Sequence, residues 1–264
     1  MTRNALILLL LTMPTAALAG ASPWQEVAPS SRVRLVTSDA LGPDRTTWIG
    51  IELDMPQDFK TYWRVPGESG VPTQLAIEGS SGIGSAEIAW PFPSRETGTG
   101  LLDNVYHGHT VLPVKLTMDA AAASLKATVT MGICSEICVP VQARFDMPLS
   151  FDRPDHAQGL RILQARADAP IAWDKGPEPI GPVTFDRRAG ALQVTLTGDG
   201  FDPASLIADV GDPAIVFGTP QKSPIPGAIS IPLLGSLPSG GLEGRTLVLT
   251  FMTEDGPYEV FRQL

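Results

Sequence analysis

Short runs in which apolar and polar residues alternate recur from Val33 to Phe151. Thr47-Trp48-Ile49-Gly50-Ile51-Glu52-Leu53, Gln74-Leu75-Ala76-Ile77-Glu78, Val111-Leu112-Pro113-Val114-Lys115-Leu116 and Leu125-Lys126-Ala127-Thr128-Val129-Thr130 have period 2 or are rich in β-branched residues. That pattern marks half-buried strands. Turn clusters such as Pro66-Gly67-Glu68-Ser69-Gly70 and Glu78-Gly79-Ser80-Ser81-Gly82 separate the runs, which predicts antiparallel strands packed as a sandwich. The period then changes. Ala157, Leu160, Ile162 or Leu163, and Ala167 fall near helical spacing, Pro154-Asp155 suits a helix start and Pro170 closes it, so one helix is predicted over 155–167. Gly176-Pro177-Glu178-Pro179-Ile180-Gly181-Pro182 follows, and its prolines bring no ladder donors, so it reads as a linker. Leu192–Leu196, Ala214–Phe217, Ala228–Ile231 and Thr246–Phe251 are again strand-like. The expected fold is all-β: a signal segment over 1–21, a β-sandwich over 22–153, a short helix and proline-rich linker over 154–182, and a second small β-domain over 183–264.

At the N-terminus, Arg3 precedes the apolar run Ala5–Leu11, and Ala17-Leu18-Ala19 or Ala19-Gly20-Ala21 supplies small residues for cleavage. This reads as a secretory signal peptide. An uncleaved anchor is the weaker reading, because Pro14 interrupts a segment already short for a bilayer. No later stretch has the apolar length of a membrane helix, so the chain is expected in an exported, disulfide-permissive compartment.

Composition narrows the function classes. Apolar residues make up 43% and charged residues 18% of 264, which is globular composition, while Gly 26 and Pro 25 favour turns over long helices. Net charge is −9, and no run of Lys or Arg reaches three, so a nucleic-acid backbone would meet repulsion.

The two cysteines, Cys134 and Cys138, carry the chemistry. In Thr128-Val129-Thr130-Met131-Gly132-Ile133-Cys134-Ser135-Glu136-Ile137-Cys138-Val139-Pro140 they end one strand and begin the next. A hairpin would bring them face to face, within the roughly 4.4–6.8 Å Cα separation a disulfide needs. A five-residue loop gains only about 2 kcal/mol from closure, against about 4.7 for a hundred residues, so a structural staple gains little here. A local pair near a turn suits reversible chemistry better. Structural and metal-binding roles stay open at this point. No Lys or Arg lies within five residues of either sulfur, and Glu136 sits between them, so thiol activation is expected from a partner or from tertiary neighbours.

Four segments resemble the periplasmic N-terminal domain of DsbD-type disulfide reductases, including the ScsB-like branch linked to copper tolerance. They are Phe59-Lys60-Thr61-Tyr62-Trp63-Arg64-Val65-Pro66-Gly67-Glu68-Ser69-Gly70-Val71-Pro72, Ile88-Ala89-Trp90-Pro91, Val111-Leu112-Pro113-Val114 and Gly132–Pro140. The resemblance implies a periplasmic, immunoglobulin-like sandwich whose cysteine pair takes electrons from a thioredoxin-like partner and passes them to oxidised exported proteins. It assigns the mixed disulfide to Cys138 and the resolving thiol to Cys134, with no cofactor. It also makes Phe92 the candidate aromatic cap and places Tyr62 along the same site. Full-length relatives continue into a membrane electron-transporting domain and a thioredoxin-like domain. This sequence ends at Leu264, so its reductant is expected to be a separate protein, thioredoxin-like or a membrane electron transporter. The cysteine spacing resembles the ScsB-like branch.

Two alternatives from other classes accompany this reading. One is a non-catalytic binding module whose disulfide only shapes a loop. The other is copper handling, in which His107 and His109, two apart on one presumed strand, join Cys134 and Cys138. Solvated surface residues are the simpler account of that histidine pair. Tyr62-Trp63 and Trp90 read first as packing, and Ser69, Ser135 and His156 lie in no nucleophile motif.

Overall fold

The computed structural model describes residues 20–98, 100–237 and 239–264. The segment expected as a signal peptide lies outside the described residues up to 19. Gly20 and Ala21 already pair with the first sandwich, the Gly20 carbonyl accepting from Thr37 N–H at 2.8 Å and Ala21 bridging Val36.

The first half is built from β1 (Gln25–Ala28), β2 (Ser31–Thr37), β3 (Thr46–Asp54), β4 (Lys60–Gly67), β5 (Gln74–Ala76), β6 (Ile83–Ile88), β7 (Ser94–Glu96), β8 (Asp103–His107), β9 (Thr110–Met118), β10 (Ala123–Cys134) and β11 (Cys138–Leu149). They form two antiparallel sheets, β1-β2-β3-β9-β6 and β11-β10-β4-β8-β7, with β5 added to β10. Alternation puts Ile49, Ile51 and Leu53 of β3, Leu112, Val114 and Leu116 of β9, and Leu125, Val129 and Met131 of β10 in one core. Trp63, fully buried on β4, packs there as well. This is an immunoglobulin-like β-sandwich.

One helix, α1 (His156–Ala167), follows. Asp155 caps it by accepting from Ala157 N–H and Gln158 N–H, each at 3.0 Å. The packing face differs from the periodicity expected. Ile162 alone of its residues is buried, and Leu160 and Leu163 are exposed. The reason lies in the sheet beneath: Gly50 on β3 leaves a hollow in which a Cβ would meet Ile162 Cγ1 at 3.4 Å. Arg161 and Arg166 complete the contact, bonding Glu52 at 2.8 Å and stacking 3.7 Å from the Trp48 ring centroid.

The second half contains β12 (Ile171–Ala172), β13 (Ile180–Asp186), β14 (Ala191–Leu196), β15 (Ile207–Asp209), β16 (Val216–Phe217), β17 (Gln221–Lys222), β18 (Ala228–Leu234), β19 (Thr246–Thr253) and β20 (Gly256–Gln263). Its sheets are β12-β20-β19-β15 and β13-β14-β18-β16, with β17 against β18. Their inward residues, among them Leu192, Val194, Ile231, Leu249 and Phe251, make a separate core. The segment expected as linker contributes to this half: Ile171 and Ala172 pair in parallel with β20, and Trp173 packs edge-on against Tyr258 at 5.1 Å. β13 begins inside the proline-rich stretch, because Pro182 falls at a register shift between Ile180 and Val183 and no ladder donor is asked of it.

Candidate functional site

β10 and β11 pair in unbroken register from Ala123↔Leu149 to Cys134↔Cys138. Cross-strand partners share a face, so the ladder delivers both cysteine side chains to one side of its end. They are joined by a disulfide with Cα atoms 4.0 Å apart, just closer than the window expected from the spacing. The two sulfurs have unlike surroundings. Cys134 is 1% exposed and clusters with Tyr62 and Val105. Cys138 is exposed, and so are Ile137 and Val139 on either side of it.

Tyr62 sits on β4 with its hydroxyl 3.1 Å from Cys134 Sγ and 3.2 Å from Cys138 Sγ. Its ring is fully buried. Two glycines make room for it. A Cβ on Gly132 would lie 3.4 Å from the ring, and one on Gly70 would fall 2.1 Å from Cδ1, so the segment Gly67–Thr73 passes directly over the tyrosine. Ser69 ties that segment down by donating to Asp103 Oδ1 at 2.8 Å, and Glu68 accepts from Leu102 N–H at 2.7 Å.

A charged cluster that the local sequence did not reveal adjoins the pair. Lys60 is the register partner of Cys134 on one side and of His107 on the other. Its ammonium bonds Asp103 at 2.9 Å and Glu96 at 3.2 Å, 5.9 Å from the Tyr62 ring centroid. Burial opposes the Lys60 charge, but the bonds to Asp103 and Glu96 outweigh it and hold its pKa above the ordinary value. For Glu96, burial is likewise outweighed by His107 and Lys60, and its pKa is lowered. Across the sheet, Lys60 therefore stands in register with Cys134, its charge already bonded to two carboxylates.

The remaining candidates are placed elsewhere. Phe92 packs against the main core and lines a groove with Pro91, Tyr106, Arg161 and Met252, while the side chain on the sulfurs is Tyr62. The histidines do not share a strand: β8 ends at His107 and Gly108 turns the chain at φ 61°. His107 Nε2 bonds Glu96 at 2.6 Å, whereas His109 Nε2 bonds Glu52 of the opposite sheet at 2.8 Å. Among the described residues, no three His, Cys, Asp or Glu side chains are grouped to hold a metal.

Residues 28–150 match the family model described as thiol:disulfide interchange protein DsbD, N-terminal. The first sandwich belongs to the DsbD N-terminal family. It is thus a thiol–disulfide interchange domain, and the match covers just under half of the chain. No curated protein matches. Among solved structures, the N-terminal periplasmic domain of ScsB from Proteus mirabilis superposes with a TM-score of 0.70 at 20% identity, over 93% of this chain and 98% of that one. The likeness in fold thus extends past the DsbD-type domain into the second sandwich. Among the described residues no helix is long and apolar enough to cross a membrane.

Proposed function

We propose that this chain is a periplasmic thiol–disulfide exchange protein that takes electrons from a thioredoxin-like protein or a membrane electron transporter and passes them to oxidised exported proteins. The observation that carries this reading is the asymmetry of the bridge: an exposed residue, Cys138, joined to a buried one, Cys134, with the Tyr62 hydroxyl against both sulfurs. A partner thiolate attacks Cys138 Sγ, forming a mixed disulfide and breaking the bond to Cys134. Cys134 leaves as a thiolate that accepts the Tyr62 O–H; a hydrogen bond to an ionised acceptor is stronger than one to a neutral sulfur. The partner's second thiol then attacks its own sulfur in the mixed disulfide and releases Cys138. Two electrons and two protons have entered the pair, and the partner has become a disulfide. In the reverse sense, the Cys138 thiolate attacks an oxidised substrate and Cys134 resolves the intermediate.

Equilibration with glutathione tests the reading. A reduction potential well above about −300 mV is expected, and one below it marks a structural bond. A Cys134→Ser chain should accumulate mixed disulfides through Cys138. Failure to trap any thioredoxin-fold protein or exported protein would count against exchange.

A further inference from the structure

We infer that the second sandwich positions the redox site, and that Arg64 is the residue through which it acts. The inference rests on the exchange function proposed above.

β4 carries Tyr62 to the sulfurs, yet its ladders fail just beyond that residue. Among the described residues its register with β10 is the single pair Lys60↔Cys134, and farther along β10 the partner is β5. Against β8 it pairs from Lys60 to Tyr62, then shifts register before Gly67↔Asp103. Pro66 lies in the gap and has no N–H to offer. Side chains substitute for part of the missing ladder, with Asn104 Nδ2 donating to the Val65 carbonyl at 2.9 Å.

Arg64 stands in this gap, two residues beyond Tyr62 and about 7 Å from it along the strand. Its guanidinium reaches across to the second sandwich. Nε donates to Asp209 at 3.0 Å, and Nη2 donates to Thr250 at 3.0 Å and to Glu259 at 3.4 Å. These acceptors come from three neighbouring strands, β15, β19 and β20, which form one sheet of the second sandwich. Asp209 and Thr250 are buried polar residues at 3% and 0% exposure. Inside a sandwich such groups need partners, and the partner here belongs to the other sandwich. The ring of Trp63 lies 4.4 Å from the same guanidinium, so Arg64 is fixed from both sides. A planar fork held by three acceptors resists rotation and sliding in a way one contact does not. The backbone of β4, poorly held by its own sheet, is thereby pinned next to Tyr62, whose hydroxyl must stay within reach of Cys134 as the bridge opens.

A second contact supplies the control. Arg95 on β7 donates to the carbonyls of Ala204 at 3.0 Å and Leu206 at 2.7 Å. These bonds join the two sandwiches through β7 rather than β4. The experiment compares the full chain with Arg64→Ala, Thr250→Val and Arg95→Ala. For each, the melting temperature, the equilibrium constant with glutathione and the rate of reduction by dithiothreitol are measured. Arg64→Ala should change the equilibrium constant and the rate about tenfold, equivalent to about 30 mV in potential, and Thr250→Val should shift both in the same sense by a smaller factor. Arg95→Ala should lower the melting temperature without moving either redox quantity. Folded Arg64→Ala with wild-type redox behaviour overturns the inference, as does an equal shift in Arg95→Ala. Should Arg64→Ala not fold, Thr250→Val decides by the same criterion. A wild-type chain that does not exchange with either reagent instead removes the function on which the inference rests.

Discussion

Strand β11 of the first sandwich and strand β19 of the second follow one rule on their inner faces and opposite rules on their outer ones. In β11 of the first, Val141, Ala143, Phe145, Met147 and Leu149 are buried while Gln142, Arg144, Asp146 and Pro148 face solvent. In β19 of the second, Leu249 and Phe251 fill the core, but Thr250 between them is buried as well, because Arg64 and the first sandwich cover it. The first sandwich thus keeps a free outer face along its longest hairpin and places the disulfide at the end of it. The second gives up outer surface to contact. The disulfide sits where a long ladder ends, and the contact between the sandwiches is made by a sheet whose polar outer residues bond Arg64.

The comparison is tested most severely at Gly70. A Cβ there would fall 2.1 Å from Tyr62 Cδ1 and 2.3 Å from Cε1, so Gly70→Ala must push aside either the ring or the segment above it. Overpacking of this kind costs about 1–3 kcal/mol, and denaturant unfolding should show that loss. Reduction of the disulfide should change rate in the same variant, since the displaced ring is the one on the sulfurs. Unchanged stability and rate would mean that the covering segment is loose and the outer face near the disulfide is freer than described.

Tyr62→Phe keeps the ring and removes only the hydroxyl. Net hydrogen-bond contributions are about 0.5–1.5 kcal/mol, larger to charged groups, so the loss should fall chiefly on the reduced form, where the acceptor is a thiolate. The pair should become harder to reduce by about 1 kcal/mol, roughly 20 mV, measured against glutathione, with little change in the melting temperature of the oxidised chain. An equal effect on stability and potential would assign Tyr62 a packing role alone.

How much of this was legible in the residues follows from the range of each interaction. Alternation in Thr47–Leu53 and Val111–Leu116 locates β3 and β9, because period 2 is a local property. The hairpin joining Cys134 to Cys138 is local too, and the spacing locates it. The helix face was not, since what selects Ile162 over Leu160 and Leu163 is the absence of a side chain at Gly50, more than a hundred residues earlier. Lys60 next to Cys134 is a matter of strand order. Two apart in sequence, His107 and His109 diverge because Gly108 adopts a positive φ, which a strand reading of the segment does not allow. Likeness places Tyr62 along the site, and its hydroxyl lies against both sulfurs, while Phe92 packs against the main core.

The smallest expected effect contrasts the two sandwiches by the sign of a pH dependence. Glu52 of the first sandwich is 1% exposed. Its burial is outweighed by hydrogen bonds from Arg34 and His109 and by the charge of Arg161, so its pKa lies below the ordinary 4.5. Glu259 of the second is raised above 4.5, because burial, aided by the charge of Asp209, outweighs the charge and hydrogen bond of Arg64. For Glu52 the unfolded chain binds more protons, so its contribution is complete above 4.5 and is lost as pH falls through the folded pKa. For Glu259 the folded chain binds more protons. Its contribution is complete below 4.5 and is lost as pH rises through the folded pKa. Glu259→Gln, neutral at every pH, should therefore remove a decline in stability above pH 4.5 and leave the acid-side loss from Glu52 intact, as read from urea unfolding between pH 3 and 8. If the variant instead steepens that decline, Glu259 is held by Arg64 as firmly as Glu52 is by its own partners, and the contact between the sandwiches is better balanced in charge than one arginine against two carboxylates implies.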